Sequence, residues 1–122
     1  MKLQILADLH MEFFPPEARE PFWESLRAEC DVLVLAGDVA TAAELGETLW
    51  WFCDNYPEVI YVCGNHEFYR SSLTRVRGAL TAVAERLDNL HALDNDAVTI
   101  GGQRFLGTTL WFPDGAENET YA

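Results

Sequence analysis

The hydrophobic pattern of the chain predicts strands that alternate with helices. Apolar runs at 2–7, 32–36 and 59–62 have the length of strands, and the run at 32–36 is continuous, as in a parallel strand covered on both faces. Apolar residues recur at helical spacing in 41–56 and from 72 to 87, and a short helix is predicted over 22–29. This β-α-β-α-β-α order is typical of an α/β fold with a parallel sheet and right-handed crossovers.

Local signals predict where several elements begin and end. Thr41 and Glu44 have the spacing of a capping box at the start of the second helix, and Pro57 ends that helix. A serine at 71 or 72 is expected to cap the third helix. The pair Pro15-Pro16 predicts a loop without helix from residue 8 to about residue 21.

The periodicity changes after the third helix. Residues 91–93 are predicted to form a fourth strand, and 97–100 and 103–109 a β-hairpin with a primed turn at Gly101-Gly102. From Trp111 onward the chain is polar and has no strong pattern. Because no linker separates these parts, one domain is predicted over residues 1–122.

Composition and charge narrow the possible partners. The 8 basic and 20 acidic residues give a net charge of −12, the opposite of a duplex nucleic-acid footprint. A phosphate substrate would be repelled unless bound cations reversed the field locally. An odd number of cysteines without a CxxC pattern predicts free thiols in a reducing compartment, and no apolar run reaches membrane-span length. With no signal-peptide pattern at the N-terminus, these features predict a cytoplasmic protein with no membrane partner.

Metal-ligand residue types follow each of the first three predicted strands. The stretches are Asp8-Leu9-His10, Gly37-Asp38 and Gly64-Asn65-His66-Glu67. Ligands of open α/β sheets bind outside the carboxyl ends of the strands, so these stretches are expected to converge on one crevice. The oxygen and nitrogen donors, without cysteine, favour Mn, Fe or Zn.

Each residue type suits a particular place in such a site. In an extended chain Asp8 and His10 would point the same way while Leu9 points into the core. Asp38 is the candidate for a carboxylate that bridges two ions, and Asn65 offers a neutral carbonyl oxygen. Taken singly, each stretch has another interpretation: a loop with a surface histidine, an aspartate that caps a helix, or a turn with a left-handed asparagine. Their joint occurrence at three strand ends favours the metal site.

The three motifs, about 30 and 27 residues apart, resemble the D-x-H, G-D and G-N-H-[DE] motifs of the calcineurin-like metallophosphoesterase family. The resemblance implies a two-sheet α/β/β/α sandwich with two divalent metal ions (Mn²⁺, Fe²⁺/Fe³⁺ or Zn²⁺) that hydrolyses phosphomonoesters or phosphodiesters. Asp8, His10 and Asp38 would bind one ion, and Asp38 and Asn65 the other. His66 would stand near the leaving-group oxygen as a catalytic acid, and Glu67 would support it, for example by orienting His66.

The sequence departs from the family pattern in its later part. The family continues with a further histidine and a G-H-x-H stretch, whereas this chain has only His10, His66 and His91. His91 begins the fourth predicted strand and is expected at the amino end of the sheet, in a structural or surface role. The chain therefore resembles the N-terminal half of a phosphoesterase. We expect weak metal binding, little hydrolysis and possible self-association through uncovered surface.

Two alternatives stay open on the sequence alone. The first is a catalytically weak or inactive module that keeps the fold and binds metal or a partner. The second concerns the stretch Met11-Glu12-Phe13-Phe14 beside the first motif, which could line a substrate pocket or anchor a loop by its apolar side chains.

Overall fold

The fold is built on a four-stranded parallel sheet, in a computed structural model that describes residues 1–110. The strands lie in the order β1-β2-β3-β4, and a two-stranded antiparallel sheet, β5-β6, forms a second layer. The strands are β1 Leu3–Leu6, β2 Val32–Ala36, β3 Val59–Val62, β4 Leu90–Ala92, β5 Asp96–Ile100 and β6 Gln103–Gly107. The helices are α1 Pro16–Leu26, α2 Ala42–Asn55 and α3 Leu73–Ala84.

All three helices pack on one face of the parallel sheet. Each crossover moves one strand further in the same direction, and right-handed crossovers then place every helix on the same side. The core on this side joins strand and helix residues, including Leu33, Leu35, Tyr61, Trp23, Leu49, Phe52 and Val76. The loops that lead from the carboxyl ends of the strands into the helices lie together at one edge of the sheet.

The hairpin covers the other face of the sheet. Val32, Ile60 and Leu93 pack against the hairpin residues Val98, Ile100 and Phe105. The α/β fold class with two sheets is confirmed. Within residues 1–110 the layers are α/β/β, and the outer helical layer of an α/β/β/α sandwich is not formed by these residues.

The hairpin has the primed turn that is predicted at Gly101-Gly102. Gly101 and Gly102 have φ of +56° and +82°, the two positive values that a type I′ turn requires. Ile100 pairs with Gln103 across this two-residue turn. The prediction of a polar, patternless segment from Trp111 onward lies outside the described residues.

The predicted loop over 8–21 is wrong in its second half, because α1 begins at Pro16. Proline is well suited to the first helical position, where its missing N–H would have no partner in any case. Pro15 takes the extended conformation just before the helix. The sequence prediction treated the proline pair as a helix breaker when it marks a helix start.

The starts of α2 and α3 agree with their signals, with one difference of mechanism, whereas α1 and α3 end at Leu26 and Ala84, three residues before the predicted ends. Ser72 Oγ accepts a hydrogen bond from Arg75 N at 3.1 Å, which confirms the cap of α3. Thr41 precedes α2 as predicted, but its hydroxyl donates to Glu44 Oε2 at 2.5 Å and accepts nothing from the backbone. The reciprocal capping box is therefore not formed.

The predictions for His91 and the cysteines hold. His91 Nε2 lies 2.7 Å from Glu58 Oε2, a residue just before β3, so this histidine belongs to the amino end of the sheet. The three cysteines are unpaired. None of the helices in residues 1–110 has the length and apolar character that crossing a membrane requires.

Candidate metal centre

The loops after β1 and β2 are held together by backbone hydrogen bonds that continue beyond the sheet. Asp8 N donates to Gly37 O at 3.1 Å, His10 N to Asp38 O at 3.0 Å, and Met11 N to Val39 O at 2.9 Å. These bonds fix the first motif against the second. Backbone hydrogen bonds alone therefore hold the first two motifs together, as predicted for the ends of neighbouring strands.

Three of the four predicted metal ligands have left-handed backbone conformations. The φ angles are +57° at Asp8, +50° at His10 and +53° at Asp38. Such values are uncommon in residues other than glycine and cluster at functional sites. The prediction that residues 8–10 are extended is therefore wrong, although Leu9 is still buried as expected.

Two glycines let the second and third motifs approach each other closely. Gly37 has a φ of +91°, and a β-carbon there would lie 2.9 Å from Gly64 N. A β-carbon on Gly64 would lie 2.2 Å from Asp38 Oδ1 and 2.6 Å from Asp38 N. Only glycine fits at both positions, because any side chain would push the two strand ends apart.

The four predicted ligands come together at one place. One ligand atom from each of Asp8, His10 and Asp38 lies within 4.8 Å of the others, and His10 Nε2 is 3.9 Å from Asp8 Oδ1. Asn65 adjoins this group, since its amide lies 3.2 and 3.3 Å from the two carboxylate oxygens of Asp38. Their role as metal ligands remains a prediction, which this geometry supports.

The conformation of Asn65 contradicts the interpretation of its motif as a left-handed turn. Its φ and ψ are −79° and −30°, in the right-handed helical region. If the side-chain oxygen of Asn65 faces Asp38, the amide oxygen and the carboxylate are both hydrogen-bond acceptors, and a cation bound between them would be contacted by both. With its nitrogen there, the amide donates to the carboxylate.

Glu67 has a different role from the one expected. It is fully buried and takes hydrogen bonds from four donors: Asp38 N (3.1 Å), Gly64 N (3.0 Å), Val39 N (3.2 Å) and Tyr61 Oη (2.6 Å). Burial raises the pKa of Glu67, and these donors oppose that rise. Both of its oxygens are thus engaged in tying the ends of β2 and β3 together, so it does not orient His66.

The carboxylate beside His66 is Glu12, which the sequence analysis did not assign to the site. Glu12 Oε1 lies 3.1 Å from His66 Nδ1 and 3.4 Å from His10 Nδ1. The signal that could have found it is its position two residues after His10. There, a short 3-10 turn at Met11–Phe13 directs it back toward the motif.

The stretch that follows His10 both anchors a loop and borders the site. Met11 is fully buried and its sulfur accepts from Trp23 Nε1 at 3.2 Å. Phe13 is 74% exposed, with its ring centroid 6.0 Å from His10 and 6.5 Å from His66. The ring of Tyr69 stacks on that of His66, with centroids 4.2 Å apart. The loop anchor is confirmed for Met11, and the lining of a substrate pocket by this stretch stays a prediction.

The electrostatics of this group favour bound cations. The carboxylates of Asp8, Glu12, Asp38 and Glu67 lie at or beside the site. Within residues 1–110 their only ion-pair partners are His10 and His66, and no lysine or arginine pairs with them. Glu12 and Asp38 are partly buried without a lysine or arginine partner, so a bound cation would offset the cost of burying them, whereas Asp8 is exposed. The donor set therefore fits divalent metal ions.

One cavity of the described residues lies away from the predicted ligands. A cavity of about 690 Å³ lies between α3 and the ends of β3 and β4, bordered by Cys63, Leu80 and Thr108 among others. None of the predicted metal ligands lines it. The candidate centre is instead a shallow surface group at the ends of β1, β2 and β3.

Comparison with known proteins agrees with the fold and the motifs. The profile of the calcineurin-like phosphoesterase family matches residues 1–118. Comparison with curated proteins gives no match. Among solved structures, the chain is similar to the phosphopantetheinyl hydrolase of Mycobacterium tuberculosis, with a TM-score of 0.63 and 22% identity. The match covers 94% of this chain and 46% of that protein, so the chain spans about half the length of this neighbour.

Proposed function

Because the chain belongs to the calcineurin-like phosphoesterase family, we propose that it supplies metal-binding and catalytic residues for phosphate-ester hydrolysis. The observation that carries this proposal is the gathering of Asp8, His10 and Asp38 around one point, with Asn65 adjoining Asp38. The substrate would be a phosphomonoester or a phosphodiester.

We assign the ligands of a dinuclear centre residue by residue. Asp8, His10 and Asp38 would hold one ion, and Asp38 and Asn65 the other. When bound, two divalent ions supply Lewis-acid charge and lower the pKa of bound water. Mn²⁺, Fe²⁺/Fe³⁺ and Zn²⁺ all suit these oxygen and nitrogen donors.

His66 is the proposed acid for the leaving group. Its Nδ1 faces Glu12 at 3.1 Å, and the backbone N of His66 donates to Asp38 Oδ1 at 2.9 Å. These contacts fix both the ring and the main chain of His66 relative to the ligands. A proton donated to the departing oxygen would then come from Nε2.

The assigned set is small for two ions. It gives one ion three protein ligands and the other two, with Asp38 shared. We therefore expect weak metal binding and slow hydrolysis by this chain. Two tightly held ions per chain, with rapid hydrolysis of a nitrophenyl phosphate ester, would contradict this expectation.

The first experiment measures Mn²⁺ binding by calorimetry. The wild type should bind Mn²⁺, and Asp38→Asn should abolish binding because it removes the shared carboxylate charge. Asp54→Asn is the matched control, since Asp54 is an exposed acid at the C-terminal end of α2, the end away from the loop that carries Asp38. Equal binding by all three proteins would refute the metal centre.

The second experiment separates the enzyme from a metal-binding or partner-binding module without turnover. His66→Gln should slow hydrolysis of an alkyl phosphate by about 10²–10⁴-fold. It should slow a nitrophenyl phosphate much less, since nitrophenolate leaves without a proton. Metal binding that is lost in Asp38→Asn, with no turnover in any version of the protein, would favour the module.

A reducing, cytoplasmic location is also proposed for this protein. It is supported by the three unpaired thiols, because free cysteines persist in reducing compartments.

Self-association of the chain is a further proposal. It is supported by apolar side chains that are exposed on β1 and β6, namely Leu3 (44%), Ile5 (66%) and Leu106 (77%). Sedimentation should show concentration-dependent growth that Ile5→Lys reduces, whereas a strict monomer at all concentrations would refute this proposal.

A further inference from the structure

A second group of metal-ligand side chains lies beside the candidate centre and shares one residue with it. Ligand atoms of His10, Glu12 and His66 all lie within 4.8 Å of one another. We propose that these three residues form a separate Zn²⁺ site, which uses the Nδ1 atoms of both histidines and a carboxylate oxygen of Glu12. Two histidines and one glutamate are a ligand set found in three-ligand Zn²⁺ sites of hydrolases.

The spacing of the ligand atoms suits zinc. Glu12 Oε1 lies 3.4 Å from His10 Nδ1 and 3.1 Å from His66 Nδ1. A tetrahedral Zn²⁺ ion with ligands at about 2.0–2.1 Å separates them by about 3.3 Å. The ring centroids of His10 and His66 are 4.3 Å apart, edge to face, so the rings already flank the carboxylate. Binding would need only small rotations of the side chains.

The burial of these residues supports the same conclusion. The side chains of His10, Glu12 and His66 are 26%, 12% and 22% exposed. Glu12 Oε2 is buried and has no hydrogen-bond partner. The oxygen that faces both histidines is Oε1, so the ion would bind there, and its charge would offset part of the cost of burying the carboxylate. Phe13 and Tyr69 flank the histidines and would limit access of water to the ion.

Sharing of His10 makes the two sites mutually exclusive. A neutral imidazole has one unprotonated nitrogen, so His10 binds a metal either through Nε2 or through Nδ1. Nε2 is the atom that faces Asp8, and Nδ1 is the atom that faces Glu12. Zn²⁺ at the second site would therefore remove His10 from the first. If the proposed function is correct, it would also hold His66 as a neutral imidazole bound through Nδ1, so the imidazolium that acts as the acid could not form.

The Zn²⁺ affinity of a Glu12 variant distinguishes two roles for this residue: a direct ligand of the ion, or an outer carboxylate that only orients the rings of His10 and His66. Loss of an outer hydrogen bond to a metal ligand typically weakens binding about 10–100-fold. As a direct ligand, Glu12 should matter more, so Glu12→Gln should weaken Zn²⁺ binding by more than about 100-fold. Asp8→Asn should weaken Zn²⁺ binding at this site by less than about 100-fold, because Asp8 lies near Nε2 of His10 and is not a ligand of this ion.

Cobalt and nitrogen-15 spectra provide the direct test. Co²⁺ in place of Zn²⁺ should give intense tetrahedral absorption bands in the wild type and in Asp8→Asn, and weak bands in Glu12→Gln. Zinc-loaded protein should show both rings as the Nε2–H tautomer, with the metal on Nδ1. Equal cobalt spectra in all three proteins, or Nδ1–H tautomers with zinc bound, would overturn the proposal.

Competition between metals tests the exclusion separately from the proposed function. The apparent dissociation constant for Zn²⁺ should rise with added Mn²⁺ in the wild type and stay constant in Asp8→Asn. Simultaneous binding of both ions through His10 would refute the exclusion. If Zn²⁺ binds as described while Mn²⁺ does not bind at all, the dinuclear centre fails and the zinc site stands.

Discussion

Gly64 and Asp38 are in such close contact that a single added carbon would not fit between them. A β-carbon on Gly64 would lie 2.2 Å from Asp38 Oδ1 and 2.6 Å from its backbone nitrogen. The backbone of the third motif therefore lies directly against the residue that we assign to both ions. The geometry of the ligands depends on this contact as much as on the ligands themselves.

Gly64→Ala should lower the free energy of unfolding by about 1–3 kcal/mol, because the β-carbon must displace the backbone of residue 38. It should also abolish Mn²⁺ binding without changing a ligand. Urea unfolding and calorimetry measure the two effects. Gly78→Ala is the control, since a β-carbon on this helical residue meets nothing within 4 Å. That variant should gain up to about 1 kcal/mol, and equal effects of both substitutions would contradict the packing argument.

The fold and the meeting of the ligands could be predicted because they depend on short-range signals. Apolar runs define the strands, and the carboxyl ends of parallel strands share one edge of the sheet. The placement of Asp8, Asp38 and Asn65 followed from that topology without knowledge of any side-chain contact. The hairpin could be predicted from Gly101-Gly102, because two adjacent glycines readily adopt the two positive φ angles of a primed turn.

What could not be predicted depends on contacts between distant residues. Glu67 accepts bonds from Tyr61 and from the backbone of Asp38 and Val39, and nothing in the G-N-H-E motif reveals those partners. Glu12 reaches His66, 54 positions away, because a short turn directs it there. The start of α1 could not be predicted for a different reason. A proline can either end a helix or occupy its first position, and the sequence around Pro16 does not decide between the two.

Met11 and Phe13 should differ sharply in their contribution to stability. Met11 is fully buried against Trp23, so Met11→Ala should cost about 2–5 kcal/mol. Phe13 is 74% exposed, so Phe13→Ala should change stability by less than about 0.5 kcal/mol. Urea unfolding of both variants measures the difference. A similar loss in both would mean that the exposed ring also anchors the loop.

Tyr61→Phe should destabilise the link between the ends of β2 and β3. It removes the hydroxyl that donates to Glu67 Oε2 at 2.6 Å and leaves that buried oxygen with only the bond from Val39 N. We expect a loss of about 1.5–3 kcal/mol, as for a hydrogen bond to a charged group. Tyr56→Phe is the control, because its hydroxyl donates to the neutral Gln4 Oε1 at 2.7 Å. That loss should be only about 0.5–1.5 kcal/mol, and the reverse order would exclude an ionised Glu67.

The buried thiols should make the protein less stable at alkaline pH. Burial raises the pKa of Cys53 from 9.0 to about 12 and that of Cys63 to about 11. Above about pH 9 the unfolded chain therefore loses thiol protons that the folded chain retains, and stability falls as the pH rises. For Cys53 the loss should be about 2 kcal/mol by about pH 10.5.

Urea unfolding of the wild type and of Cys53→Ala at pH 8 and at pH 10.5 measures this effect. The difference in stability between the two pH values should be smaller in Cys53→Ala, because that thiol no longer ionises in the unfolded chain. Comparing differences within each protein removes the constant cost of the cavity that the substitution leaves. An identical pH dependence in both proteins would show that the Cys53 thiol ionises as readily in the folded chain as in the unfolded one.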